Sequence, residues 1–232
     1  MIGGEKRTAK QDVRARALEA RDAIPADARA EKSRLVCEQF EGLLAEVAAK
    51  AAPRRAVVAV YAAMRSEVDL SAFVEAAYAA GATVAFPCMN AKEEESGEGR
   101  KENGANESSP KGDESPERKG AGRMCMRRVS EGQWRSGRAP FIAKPIARFA
   151  LDAPEISAYP LVEPESIDLI AVPLTAFDAD NRRLGYGGGN YDEYLPKLRA
   201  GAAIAGAAFA EQRVGRVPTE PHDRPLERIF FA

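Results

Sequence analysis

The order of apolar and polar positions divides this chain into helical and extended segments. Val13, Ala17, Ala20 and Ile24 recur at helical spacing, so residues 8–24 read as an amphipathic helix that Pro25 ends. Val36, Phe40, Leu43, Leu44 and Val47 mark a second helix over 27–50. After Pro53 the pattern changes to a short apolar, β-rich run at 56–61, as expected for a strand buried on both faces. Asp69 is placed to cap a helix over 70–80, and Gly81 to close it. A strand follows at 83–86, stopped by Pro87. Further on, residues 167–172 form a strand ended by Pro173, 190–199 a helix, 203–209 a buried strand and 229–231 an edge strand. Strand, helix and strand in sequence predict a βαβ unit and hence a parallel sheet.

One stretch breaks the pattern. Residues 91–122 are Glu, Lys, Gly, Ser, Asn and Pro with almost nothing apolar, so they cannot bury enough surface to offset the entropy of ordering. They are expected to be a disordered insertion within a single domain spanning 1–232, with a regulatory or docking segment as the alternative.

Composition removes several classes of function. The 232 residues carry 34 Lys and Arg against 35 Asp and Glu, a net charge of −1 that gives no reason to expect nucleic-acid binding. No apolar run approaches the ~20 residues of a membrane helix. The first residues lack the apolar core of a signal peptide, and the Cys residues at 37, 88 and 125 form no CxxC pair. A cytoplasmic protein with reduced thiols is expected. With His222 as the one histidine, a His-based metal cage is excluded and a Ser-His-Asp triad disfavoured.

The densest chemistry lies in Arg183-Leu184-Gly185-Tyr186-Gly187-Gly188-Gly189-Asn190-Tyr191-Asp192. Glycines let backbone N–H groups approach a ligand and tolerate positive φ. A helix N-terminus behind them favours anions, arginine pairs with phosphate, and a carboxylate can hold the magnesium that phosphates carry. The run is neither a Walker A loop nor a dinucleotide fingerprint. It reads as a place for a metal-bound nucleoside triphosphate, with a plain flexible turn as the alternative. Lys10 and Arg14, four apart, share a helix face that alone could be merely solvated. Glu67 follows a parallel strand, where open α/β sheets tend to bind ligands, but could be an ordinary loop carboxylate. Asp223 could be a turn residue, and Trp134 either core or a ligand-stacking ring.

Four blocks together resemble the 5-formyltetrahydrofolate cyclo-ligase family, also called 5,10-methenyltetrahydrofolate synthetases. They are the Lys10-x-x-x-Arg14 helix, Met64-Arg65-Ser66-Glu67-Val68-Asp69, the stretch 167–195 with the glycine run, and Ala208-Phe209-Ala210-Glu211-Gln212 with Val217-Pro218 and His222-Asp223. The resemblance implies a three-layer α/β sandwich, a mainly parallel sheet flanked by helices. It implies ATP- and magnesium-dependent cyclisation of 5-formyltetrahydrofolate, polyglutamylated or not, by a monomer. The formyl oxygen is phosphorylated, folate nitrogen 10 attacks the activated carbon, and ADP and phosphate leave.

Carried over to this chain, the resemblance places Lys10, Arg14 and the run Arg183, Leu184, Gly185, Tyr186, Gly187, Gly188, Gly189, Asn190 and Tyr191 on ATP. Ala62, Glu67 and residues Tyr186 to Asn190 would face the folate, and Asp192 and Asp223 magnesium. Arg183, Tyr191 and Asp192 would be catalytic. Trp134 falls where the family often has a tryptophan near the folate. Two departures stand out: Asn190 occupies a position where the family usually has a second tyrosine, and the family's Glu-Pro pair has two candidate counterparts, Ala153-Pro154 and Glu163-Pro164. They keep open a catalytically silent paralogue that binds folate or nucleotide. A small-molecule kinase is disfavoured by the lack of kinase motifs.

Overall fold

The computed structural model describes residues 2–91, 124–220 and 225–232, with side chains from residue 9 onward. The segment expected to be an insertion lies, from residue 92 on, outside the described residues, as does Asp223.

The chain opens with two long helices, α1 (Ile2–Asp22) and α2 (Ala26–Ala51). Then come β1 (Val57–Ala59), α3 (Ser71–Ala79), β2 (Thr83–Asn90), β3 (Met124–Val129), α4 (Glu131–Ser136), α5 (Pro140–Ala143), β4 (Arg148–Phe149) and β5 (Leu161–Val162). The last third holds β6 (Leu169–Pro173), β7 (Ala176–Phe177), β8 (Arg183–Leu184), α6 (Asn190–Tyr194), β9 (Ala203–Ala208) and β10 (Arg228–Phe231).

One sheet, in the order β10-β9-β6-β1-β2-β3-β5 with β4 beside β2, runs through the described residues. Its centre is parallel: β10 with β9, β9 with β6, β6 with β1 and β1 with β2. β3 and β5 add an antiparallel edge, so the sheet is mixed. β7 and β8 form a separate antiparallel hairpin.

Period-two alternation divides the strand side chains between two cores. Val58, Val60, Val84, Phe86, Leu169, Ala171 and Ala205 pack with Phe40, Leu44 and Val47 of α2 and Phe73 of α3. Ala59, Ala85, Ile170, Val172 and Met126 face the other way, under Tyr191 and Tyr194 of α6. This is the expected three-layer arrangement. The helix α3 starts one residue later than the sequence predicts, with Leu70 rather than Asp69 at its N-cap; Asp69 accepts the Ser71 N–H at 2.9 Å from just outside it, and Gly81 (φ 75°) ends it as expected. The Ala82 and Gly81 N–H groups return to the Ala77 and Tyr78 carbonyls, a Schellman close.

Two expectations are corrected. Pro87 does not stop its strand; β2 continues to Asn90. The Val60 N–H donates to the Ala85 carbonyl, so Ala85, and Pro87 two residues on, turn their backbone polar groups towards β1. Pairing with β1 ends at Ala85 and with β4 begins at Met89, so Pro87 sits in a gap where no ladder N–H is required. The helix expected over 190–199 is also shorter. α6 stops at Tyr194 and continues as a 3-10 turn, Leu195–Lys197, because Pro196 has no N–H to extend the α-helical ladder. So short a helix contributes little macrodipole, and any anion affinity here rests on side chains and loop N–H groups.

Candidate functional site

The site gathers on the loops at the carboxyl ends of β1, β6 and β9, with α1 laid across them. Val13 and Ala17 of α1 pack against Ala176, Leu184 and Val217, which seats the helix on the β7–β8 hairpin. That hairpin is shaped by the buried Asp178, which accepts the N–H groups of Asp180 (3.0 Å), Arg182 (3.1 Å) and Val217 (2.9 Å). Gln212 ties the end of β9 to the end of β6. It accepts the Phe209 N–H at 2.8 Å and donates to the Leu174 carbonyl at 2.9 Å and the Thr175 carbonyl at 3.1 Å.

Seated there, α1 aims its basic residues at the glycine run. Arg14 donates through Nε to the Gly185 carbonyl at 2.7 Å, and Lys10 pairs with Glu220 at 3.0 Å. Gly187 (φ 97°) and Gly189 (φ 72°) occupy the left-handed region that disfavours side chains. The Arg14 guanidinium lies 3.5 Å from where a Gly187 Cβ would sit, so helix and loop are in close contact. The Asn190 amide nitrogen is 3.4 Å from the equivalent point on Gly188.

Arg21 goes unnamed in the sequence reading, yet it is central. Only 1% exposed, it donates to the Ser66 hydroxyl at 3.0 Å and the Tyr186 hydroxyl at 2.8 Å. Ser66 in turn donates to Asp22. The signal was available: Arg21 lies between Ala17 and Ile24 on the apolar stripe of α1, where an unexplained cation is informative. It is also two helical turns beyond Arg14, on the same face.

Glu67 sits beneath this pair, 7% exposed. Its Oε2 accepts the Met64 N–H at 2.7 Å, and the Glu67 N–H returns to the Met64 carbonyl at 3.1 Å. Arg65 in the same loop takes a left-handed φ of 55°. Burial raises the Glu67 carboxyl above its ordinary range, against the pull of the Met64 N–H, the Tyr186 hydroxyl and the Arg21 charge. Burial and the neighbouring Glu67 charge raise Tyr61 and Tyr191, and hold Tyr186 at about 12. Glu67 Oε1 and the Tyr191 hydroxyl are buried without hydrogen-bond partners. Together with Pro173, Leu174 and Gln212, Arg21, Tyr61 and Glu67 close around a crevice too tight for a water molecule. A buried carboxylate oxygen left without a partner is uncommon in a folded protein.

On the other side of the loop, Arg183 forms an ion pair with Asp192. The Arg183 side chain is nearly buried, whereas that of Asp192 is 49% exposed. A hard, half-exposed carboxylate beside a glycine loop suits magnesium, which keeps waters and phosphate oxygens as its other ligands. Among the described residues no group of three or more His, Cys, Asp or Glu is placed to hold a metal by itself. Leu184 is core, and Ala62 packs at the edge of the core beside Glu67's loop. Trp134 stacks on Phe86, ring centroids 5.3 Å apart, on the α2–α3 face of the sheet; its ring is a core partner. Asp223 lies outside the described residues.

The family model described as the 5-formyltetrahydrofolate cyclo-ligase family matches residues 6–232. The chain belongs to the 5-formyltetrahydrofolate cyclo-ligase family. Proteins named 5-formyltetrahydrofolate cyclo-ligase are similar to parts of it. That of Mycoplasma pneumoniae is 40% identical over 68 residues, 29% of this chain and 41% of the relative. That of Haemophilus influenzae is 35% identical over 84 residues, 36% of this chain and 45% of the relative. The Mus musculus protein is 33% identical over 69 residues, 28% and 34% respectively. These matches thus span less than half the length of each relative. Two solved 5,10-methenyltetrahydrofolate synthetases share the fold. The Mycoplasma pneumoniae structure has a TM-score of 0.61 at 18% identity, over 95% of this chain and 97% of that one. The Aquifex aeolicus structure has 0.60 at 20%, over 96% and 89%. Three of the four blocks that carried the resemblance to the cyclo-ligase family, and the described part of the fourth, meet at this site. Among the described residues no helix is long and apolar enough to cross a membrane.

Proposed function

We propose that this protein is an ATP- and magnesium-dependent 5-formyltetrahydrofolate cyclo-ligase. The observation that carries the reading is the buried Glu67, with one oxygen unpartnered, next to the Arg21–Tyr186 hydrogen bond that ties α1 to the same glycine loop that Arg14 touches. A pterin offers N–H donors for that oxygen, and Tyr186 would face the folate. Lys10, Arg14 and Arg183 place positive charge around the loop, whose N–H groups and glycines suit a triphosphate. Asp192 would hold magnesium, with Asp223 as second ligand; when bound, the ion neutralises phosphate charge.

A formamide oxygen is a poor leaving group, and transfer of the γ-phosphoryl group to it makes it a good one. Folate nitrogen 10 then adds to the formyl carbon, and phosphate departs as the ring closes. For this the protein needs chiefly to position and to stabilise charge. Arg14 and Arg183 hold the phosphates in register with the formyl oxygen. Glu67 fixes the pterin, and Tyr191 closes the nucleotide side of the loop.

The test is absorbance of the methenyl chromophore after mixing the protein with 5-formyltetrahydrofolate, ATP and magnesium, with ATP omitted as control. ATP-dependent product is expected. Saturable folate binding with no product overturns the catalytic reading and favours a binding-only paralogue, with Asn190 as the first position to revert to tyrosine.

A further inference from the structure

Cys88 on β2 and Cys125 on β3 stand directly opposite each other in the antiparallel ladder. Ala85 turns its carbonyl to β1 and Arg128 its N–H to Pro160, beside β5, so the backbone groups of Cys88 and Cys125, three positions away on each strand, face one another. Opposed residues of this kind have Cα atoms roughly 5.5 Å apart. A disulfide spans roughly 4.4–6.8 Å between Cα atoms but only about 3.5–4.5 Å between Cβ atoms, so closure draws this wider rung together and leaves a strained, readily reduced bridge. The Cys125 thiol lies 3.6 Å from the Cys88 carbonyl oxygen and 3.3 Å from Asn90 Oδ1.

The surroundings favour a thiolate. Arg127, next on the same face of β3, is buried and held by carbonyls: those of Ile156 at 3.3 Å, Tyr159 at 2.8 Å and Leu151 at 2.9 Å. Its Nε has no hydrogen-bond partner. Cys125 is drawn down by the hydrogen bond with Cys88 and, against burial, by Arg127; the same sharing pushes Cys88 up. Cys125 is part-exposed and Cys88 buried, the disposition of an attacking thiol and a resolving one. Cys37 makes the contrast: it is buried, donates to the Asp69 carbonyl, and burial lifts it to about 11.

We propose that Cys88 and Cys125 are a redox-active dithiol, closed reversibly to a cross-strand disulfide by low-molecular-weight disulfides. The Cys125 thiolate attacks one sulfur of the small disulfide and expels the other as thiolate. Cys88, deprotonated as it attacks, then displaces the second small thiolate from Cys125. One small disulfide is reduced to two thiols while the two protein thiols are oxidised to one disulfide. The bridge ties β2 to β3 one rung from Met89–Met124, where the chain leaves for the segment between them. The proposal is independent of the cyclo-ligase reading, because its readout is covalent.

The full chain is equilibrated with a reduced and oxidised small-thiol pair of varied ratio, free thiols are trapped by alkylation, and peptides are mapped by mass spectrometry. Oxidising ratios are expected to give a species lighter by two hydrogen atoms, with Cys88 linked to Cys125 and Cys37 alkylatable only after unfolding. Excess reduced thiol is expected to reverse it. In Cys88→Ser, Cys125 should stop at the mixed disulfide; Cys37→Ser should close as the native chain does. The proposal is overturned if the native chain shows no 88–125 link at any ratio, if Cys37 takes part in the bridge, or if native Cys125 alkylates no faster than Cys37.

Discussion

The Arg21 guanidinium donates to the Tyr186 hydroxyl at 2.8 Å and lies 5.7 Å from the centre of the Tyr186 ring, tying the first helix to a loop far along the chain. The same guanidinium holds Ser66, one residue before Glu67. A single buried cation therefore sets the relative position of the carboxylate and the glycine run.

Arg21→Lys keeps the charge but not the planar fork that reaches Ser66 and Tyr186 together. Loss of one charge-assisted buried hydrogen bond costs about 2 kcal/mol. For a chain of this size that lowers Tm by roughly 4–8 °C. Because Tyr186 and Glu67 lose their mutual position, KM for the folate is expected to rise about tenfold, with a smaller effect on kcat. An unchanged KM and Tm would show that Tyr186 holds its place without the arginine.

Glu67 carries a stability signature. Burial raises its folded-state carboxyl above the unfolded value, so its contribution is complete below the unfolded pKa, about 4.3, and is lost as pH rises through the folded value. The ionised form is the strained one. Glu67→Gln keeps an acceptor for the Met64 N–H and removes the buried charge. The ligand-free variant is expected to match or exceed the native Tm at pH 7, and to lose that advantage below about pH 4, while folate affinity falls. A variant less stable at pH 7 than at pH 4, relative to the native chain, would contradict this.

The helical stripes and buried strands were legible because burial imposes periods of 3.6 and 2 that the apolar residues of α2, β1, β6 and β9 keep. The glycine loop was legible too, since glycines and arginine cluster in sequence to form it. Arg21 was not singled out, and Ser66 and Gln212 stood only inside the family's blocks without a role, because their importance lies in partners far along the chain. The continuation of β2 past Pro87 depends on a gap between β1 and β4 that no local rule reports. The short α6 was readable in principle from Pro196, but the expectation ran the helix through it.

At the opposite end of the sheet, the buried Asp168 accepts from Arg54 at 2.6 Å and the Val57 N–H at 2.9 Å, and pairs with Arg199. Although burial opposes it, Arg54, the Val57 N–H and Arg199 hold its carboxyl at about 2. Its contribution is therefore present above the unfolded pKa, about 3.9, and lost as pH falls through about 2. Asp168→Asn is expected to lower stability by about 2 kcal/mol at pH 7, a gap that closes towards pH 2 in denaturant titrations. Because the residue is remote from the glycine loop, kcat and KM should not change. Altered kinetics would mean that this end of the sheet communicates with the site.

The last prediction concerns the Arg183–Asp192 pair. With the Asp192 side chain 49% exposed, the pair adds little to stability. Asp192→Asn keeps the shape and a hydrogen bond to Arg183 while removing the charge a magnesium ion needs. The cyclo-ligase reading therefore expects Tm within about 2 °C of the native value. Activity should fall about 100-fold or more, and the magnesium concentration for half-maximal rate should rise. Arg183→Ala should lose activity to a similar degree, without that magnesium shift as its main effect, because its charge serves the phosphates. The contrast between the variants separates metal binding from phosphate binding: near-native turnover in either would remove that residue from the proposed machinery.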